Sequence, residues 1–259
     1  MKIGCCTELD NAHKLAAMGY DYFEPSVSRV AAMTEEEFMK AVEIVDALPI
    51  KAEAANGLFP GTIRLIGPDA DLKAVAGYID GVFPRLKRLG CDTVVFGSGG
   101  ARRVPEGFDR DEAWKQLIAA GKMLGRKARE YGLVIALEPL NRKEVNIINS
   151  LLEGKHLVDD VADPNFKLLS DYYHLILEDE GAAEVEACGN CIVHTHISNP
   201  AGRVTLTEND EADYLSFFKT LKKCGYTGRI SFEGKVEEFD MQLPETLKVL
   251  RGLAEKAGL

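Results

Sequence analysis

No excess of positive charge runs through this sequence: 31 lysines and arginines stand against 41 aspartates and glutamates, a net charge of −10. A nucleic-acid backbone is gripped by basic side chains that neutralise its phosphates, so this balance argues against nucleic acid as a partner. No uninterrupted apolar run approaches the length that spans a bilayer, which argues against a membrane role. The opening MKIGCCTEL lacks the apolar core of a secretory leader. Six cysteines (Cys5, Cys6, Cys91, Cys188, Cys191 and Cys224) do not read as a disulfide framework in a chain of 259 residues. Several sit in apolar runs, where cysteine behaves as a small hydrophobe. The expectation is a cytoplasmic, reduced protein. The phosphate fingerprint GxGxxG is also missing, since the nearest glycine-rich run, GSGGARR at 97–103, has different spacing.

What the chain does have is a regular alternation. With 46% hydrophobic and 28% charged residues it can bury a large core. Short apolar runs recur at 2–6, 20–25, 50–54, 92–97, 133–139, 166–171, 192–198 and 229–234. Most are continuous rather than alternating, the pattern of parallel strands covered on both faces. Between them lie helix-periodic segments. TEEEFMKAVEIVDAL (34–48) opens with a Thr–Glu capping box, and 111–132 stops at Gly132. Two more, 212–226 and 244–257, repeat the scheme near the end. Eight units of about 32 residues each match the size of a βα repeat. No linker interrupts them, so the expected architecture is α/β: a single (β/α)8 TIM barrel over 1–259, with its active site at the C-terminal ends of the strands.

Those strand ends carry unexpected residues. The fifth ends at Glu138, the sixth at Asp171 with His174 just beyond, the seventh holds His194 and His196, and the eighth ends at Glu233. A lone glutamate at a strand end is ordinarily a solvated loop residue or a capping partner. Four consecutive strands ending this way would crowd three carboxylates into one mouth, where they repel unless a cation lies between them. An oxygen-rich set with one imidazole suits Mn²⁺ or Mg²⁺, with Co²⁺ and Zn²⁺ as alternatives. His194 and His196 are two apart and share a face, so at least one of them serves. A rival zinc set would use Cys188 and Cys191, but only one CxxC pair exists and an extended strand separates Cys191 from His196.

Weaker candidates surround this set. Glu24 ends the second strand and belongs either to the pocket or to its rim. Asn56 and Phe59 follow the third strand, where they would meet a substrate or pack a loop. Arg102 or Arg103 could hold an anion, although the loops after strands seven and eight lack a glycine-rich helix start, which favours a neutral ligand. Trp114 reads as interhelical packing.

LEPLNRKE, SDYYH, HTHISN and SFEG, in this order, resemble the metal-binding segments of the xylose-isomerase-like barrel superfamily, and most of all its ketose 3-epimerases (tagatose and psicose epimerases). The resemblance implies one divalent metal ion held by Glu138, Asp171, His196 and Glu233. It implies that Glu144 and His174 contact substrate hydroxyls, and that Arg203, after the loop SNPAG, takes the place of the epimerases' arginine. It also implies a sugar or keto-polyol substrate and a homodimer or homotetramer. The matching chemistry removes a proton beside a carbonyl, with an enediolate stabilised by the cation and Glu138 and Glu233 as the acid–base pair. Wider relatives of the superfamily supply the alternatives: a keto-inositol (inosose) isomerase or dehydratase, a hydroxypyruvate isomerase, or an endonuclease IV-like enzyme. The last would need a basic groove that the composition opposes.

Overall fold

In the computed structural model, which describes residues 1–259, eight strands lie in one parallel sheet. They are β1 (Lys2–Cys6), β2 (Tyr22–Glu24), β3 (Ala54–Ala55), β4 (Thr93–Phe96), β5 (Val134–Leu137), β6 (Phe166–Asp171), β7 (Ile192–Ile197) and β8 (Arg229–Phe232). The sheet order is β2-β1-β8-β7-β6-β5-β4-β3, so β2 and β3 form the seam. Hydrogen bonds just past the strand ends close it: Asn56 N donates to Pro25 O at 3.0 Å and Val27 N to Asn56 O at 2.7 Å. The expected (β/α)8 barrel is therefore the fold observed.

The third strand is the main departure from expectation. Residues 50–53 are spent on the barrel floor and on helix ends, and only Ala54–Ala55 enter the ladder. Lys51 Nζ donates to Val45 O at 2.6 Å, which satisfies a helix-terminal carbonyl. Glu53 pairs with Lys2 at 2.5 Å and with Arg229 at 3.0 Å. Arg229 also reaches Asp92 and lies 5.6 Å from the Tyr22 ring centroid. A network of paired charges thus underlies the barrel interior.

The helices follow local rules. Thr34 and Glu37 form the capping box, with Thr34 N donating to Glu37 Oε2 at 2.8 Å, and the helix runs Glu35–Asp46. The next long segment forms Arg110–Glu130, after which Gly132 takes φ +65°. Trp114 Nε1 donates to Asp160 Oδ2 at 2.7 Å, so this ring ties the Arg110–Glu130 helix to Leu151–Val161. The last helix begins at Phe239, five residues ahead of the expected 244, and takes Pro244 into its interior. Gln242 explains the early start: its Oε1 accepts from Glu237 N and Glu238 N at 2.9 and 3.0 Å. Short helices at Val27–Ala32, Gly99–Arg102 and Tyr172–Leu177 were not expected; each directly follows the end of a strand. No helix is long and apolar enough to cross a membrane.

Most of the core lies between sheet and helices, and a small apolar trio, Val95, Ala136 and Leu169, forms a cluster of its own with Val193. Along β6 and β7, Leu168 faces Ile192 and Leu169 faces His194, a register shift that leaves Val193 as the extra residue. Such bulges re-aim side chains near functional sites. Here the bulge falls immediately before the two histidines.

One helix start depends on a carboxyl from a distant loop. Leu151 N donates to both oxygens of Glu180, at 3.0 and 3.1 Å. Burial pushes the Glu180 pKa from 4.5 up to about 7, against the pull of the Leu151 N–H. A raised folded-state value means that this group supports the fold fully below the unfolded pKa and loses that support as pH rises through the folded value. Stability should therefore decline as pH rises from about 4.5 to about 7, and Glu180→Gln should reduce that decline; urea unfolding at a series of pH values checks it.

Candidate metal centre

Strand register assembles the site. Asp171 on β6 pairs with His196 on β7, and His196 pairs with Ser231 on β8, so these three side chains share one level of the barrel. Glu138 follows β5 and Glu233 follows β8 at the same mouth. His196 Nδ1 lies 3.3 Å from Glu138 Oε1 and 3.2 Å from Glu233 Oε2. Ligand atoms of Glu138, Asp171, His196 and Glu233 all fall within 4.8 Å of one another. The four expected metal-ligand candidates are together.

Their electrostatics are those of crowded acids. Burial and then the neighbouring Glu233 push the Glu138 carboxyl above the usual range. Asp171 is raised to about 8, again by burial first, then by Glu138 and Glu233. Burial also raises Glu233, but His196 and Arg203 outweigh it and bring the carboxyl down to about 2. Glu138 Oε1 and Asp171 Oδ2 are buried without a hydrogen-bond partner. Buried polar atoms are rarely left so, and acceptors converging on one point fit a cation. Three carboxylates and one imidazole form a donor set that could hold Mn²⁺ or Mg²⁺.

The substrate-contact candidates ring this cluster. His174 Nδ1 accepts from the backbone N–H of Asn141 at 3.1 Å. A neutral ring that accepts at Nδ1 carries its proton on Nε2. His174 stays neutral, because burial and then Arg203 lower its pKa to about 3. Its Nε2 is partnerless and lies 3.6 Å from Asp171 Oδ2, a free donor at the rim of the cluster. Asn141 also donates to Glu144 Oε1 at 2.9 Å, so one amide positions both residues. Arg203 spans the mouth: Nη2 is 2.6 Å from Glu233 and 3.7 Å from Asp171, and Nη1 is 3.5 Å from Glu144. Its guanidinium stacks 4.8 Å from the Tyr173 ring centroid.

Other expectations resolve differently. Glu24 is not at the rim; it is fully buried beneath the cluster, 3.0 Å from His196 Nε2 and 2.9 Å from His194 Nε2. Its carboxyl is driven up by burial but held well below the ordinary range by His196 and His194. His194 thus sits one layer deeper than His196. Asn56 reaches Glu233 Oε1 at 3.3 Å, whereas Phe59 is a buried core residue. Arg102 holds no anion: it is buried and donates to the carbonyls of Phe96 and Glu138 at 2.9 and 2.5 Å. Arg103 is likewise committed, to the carbonyl of Glu144. Cys188 and Cys191 join no metal-ligand group, but Cys6 does, within 4.8 Å of Glu24 and His196. Cys6, Asn141 and Tyr173 escaped sequence reasoning. Asn141 at least stands inside the LEPLNRKE motif. A separate apolar cavity of about 570 Å³ lies outside the cluster, between the Tyr172–Leu177 and Tyr214–Lys223 helices, and includes none of the ligand candidates.

A family model described as a xylose isomerase-like TIM barrel matches residues 12–254. Among curated proteins, L-ribulose 3-epimerase of Methylomonas sp. is 39% identical over 138 residues, 52% of this chain and 48% of that protein. D-psicose 3-epimerase of Ruminiclostridium cellulolyticum is 24% identical over 234 residues, covering 85% of this chain and 75% of that one. The chain spans about half the length of the first of these relatives. A solved D-allulose 3-epimerase from Methylomonas sp. superposes with TM-score 0.79 at 26% identity, over 99% of this chain and 95% of that one.

Gly97 marks a sharp constraint on the cluster. A Cβ added there would overlap Glu138 Oε2, so the carboxylate has room only because residue 97 lacks a side chain. Gly97→Ala should leave the fold intact by circular dichroism yet weaken Mn²⁺ binding at least about tenfold by calorimetry, by displacing Glu138.

Proposed function

The chain belongs to the xylose isomerase-like TIM barrel family, and from that premise we propose that it is a divalent-metal-dependent sugar epimerase or isomerase, acting on a free ketose through an enediolate. The observation that carries this reading is the convergence of Glu138, Asp171, Glu233 and His196 Nδ1 on one point. The epimerase relatives favour a ketose and reaction at the carbon beside its carbonyl.

Epimerisation takes a proton from one face of a carbon and returns one to the other, so two acid–base groups must flank the substrate. Glu138 and Glu233 come from β5 and β8, which two other strands separate in the sheet, and both approach His196 Nδ1. A bound divalent ion supplies Lewis-acid stabilisation of the developing oxyanion. The protein's own groups do the rest. His174 offers Nε2–H to a substrate oxygen. Glu144 accepts from a hydroxyl while Asn141 holds it in place. Arg203 donates to an oxygen near Glu233 and, stacked on Tyr173, screens the mouth from water.

The surrounding charge favours a neutral ligand over a phosphorylated one. Arg203 is balanced by Glu233, Glu144 and Asp171, and Arg102 and Arg103 are taken by backbone carbonyls. A phosphate would meet an excess of carboxylate.

Incubated in D₂O with metal and a panel of ketoses, the protein should exchange the proton beside the carbonyl. Glu138→Gln and Glu233→Gln should each lower that exchange at least about a hundredfold at saturating metal while remaining folded. Absence of exchange for every ketose with metal-loaded wild-type protein would overturn the reading.

A further inference from the structure

Directly behind the cluster lies a buried carboxylate that the proton transfer does not use. Glu24, at the end of β2, is fully buried, and each of its oxygens is engaged. Oε1 faces His196 Nε2 at 3.0 Å. Oε2 faces His194 Nε2 at 2.9 Å and accepts from Ser231 Oγ at 2.6 Å. Ser231 Oγ in turn lies 2.6 Å from Tyr22 OH, which donates to it. The Tyr22 ring occupies space that a Cβ at Gly4 would overlap, so the whole stack depends on a glycine in β1.

An ionised carboxylate only accepts, so both imidazoles must present N–H at Nε2. A ring bound to metal can keep that proton only if the other nitrogen is the ligand. For His196 the other nitrogen is Nδ1, the atom that faces Glu138 and Glu233. His194 does not play the same part: it lies edge-on to His196 with ring centroids 5.1 Å apart, and it belongs to neither group of side chains whose ligand atoms converge.

We propose that Glu24 is a positioning residue that holds the His196 proton on Nε2 and thereby presents Nδ1 to the metal, with His194 and Ser231 fixing the carboxylate in that pose. This assigns different tasks to two histidines that strand periodicity leaves equivalent: one binds the ion, the other braces the group that orients it. Partners of this kind behind a ligand histidine ordinarily change metal affinity about 10- to 100-fold when replaced. The proposal rests on the metal-centred reading of the cluster.

Glu24→Gln tests it with nearly unchanged volume. An amide offers one acceptor oxygen where the carboxylate offers two, so one imidazole loses its acceptor and His196 is free to turn its proton towards the cluster. Mn²⁺ titration of the folded variant by calorimetry should show the dissociation constant raised about 10- to 100-fold. A purely structural role for Glu24 would lower the unfolding midpoint and leave the metal affinity of the folded protein unmoved. A second measurement needs no variant: imidazole nitrogen NMR on Zn²⁺-loaded wild-type protein should show His196 coordinated through Nδ1 with its proton on Nε2. Coordination through Nε2, or wild-type Mn²⁺ affinity in folded Glu24→Gln, would overturn the role of Glu24 alone. Wild-type protein that takes up no Mn²⁺ would remove the metal-centred reading and this proposal with it.

Discussion

Three carboxyl groups and an imidazole confined within 4.8 Å set the terms for everything else at this barrel mouth. Carboxylates at such spacing cannot all ionise in a buried site without positive charge among them. The protein answers with an alternation of charge along the barrel axis. The floor carries Arg229 among Glu53 and Asp92, and an apolar cluster of Val95, Ala136 and Leu169 forms part of the interior. Glu24 is sandwiched by two imidazoles, the acidic cluster stands above His196, and Arg203 spans the opening. Opposite charges alternate along this column, which helps so polar a stack survive inside a sheet covered on both faces, while Glu138 Oε1 and Asp171 Oδ2 are left without a protein partner.

The same constraint explains why small residues stand where they do. Gly97 leaves room for the Glu138 carboxylate and Gly4 for the Tyr22 ring. Neither position has left-handed backbone, so the requirement is for empty space and not for φ. At both sites a glycine inside or just past a strand marks a close approach by another group. These two absences of side chain are as much part of the site as the acids.

How much of this was legible beforehand depends on which physical rule wrote each residue. Glu138, Asp171, His196 and Glu233 stood out because an ionisable residue ending a hydrophobic strand has no packing reason to be there. Periodicity brought His194 and His196 to one face but could not rank them. Their depth is decided by the bulge at Val193 and by a carboxylate on β2, both tertiary facts. Arg102 and Arg103 looked like anion binders because a glycine-rich loop next to arginine has that chemistry. In the fold they staple β4 and the loop after β5 through backbone carbonyls, partners that no side-chain pattern reveals. Similarly, the third strand read as five residues because extended chain on a barrel floor has the same apolar pattern as a ladder.

Arg203 shows what the arrangement demands of the backbone. It adopts φ +56°, a left-handed conformation that a long side chain seldom takes and that costs about 1 kcal/mol or more. The surrounding chain compels it: Arg203 N donates to Asn199 O at 3.0 Å, Asn199 N to Val204 O at 2.9 Å, and Lys235 N to Arg203 O at 2.7 Å. Gly202 just before it is also left-handed, so the turn reverses within two residues. The reversal aims the guanidinium back over the mouth, where it meets carboxylates from three separate segments and the face of Tyr173. A relaxed backbone at 203 would carry that charge elsewhere. Strain is therefore stored at the residue whose cation balances the acids from the open side, opposite the buried side that Glu24 and its histidines support.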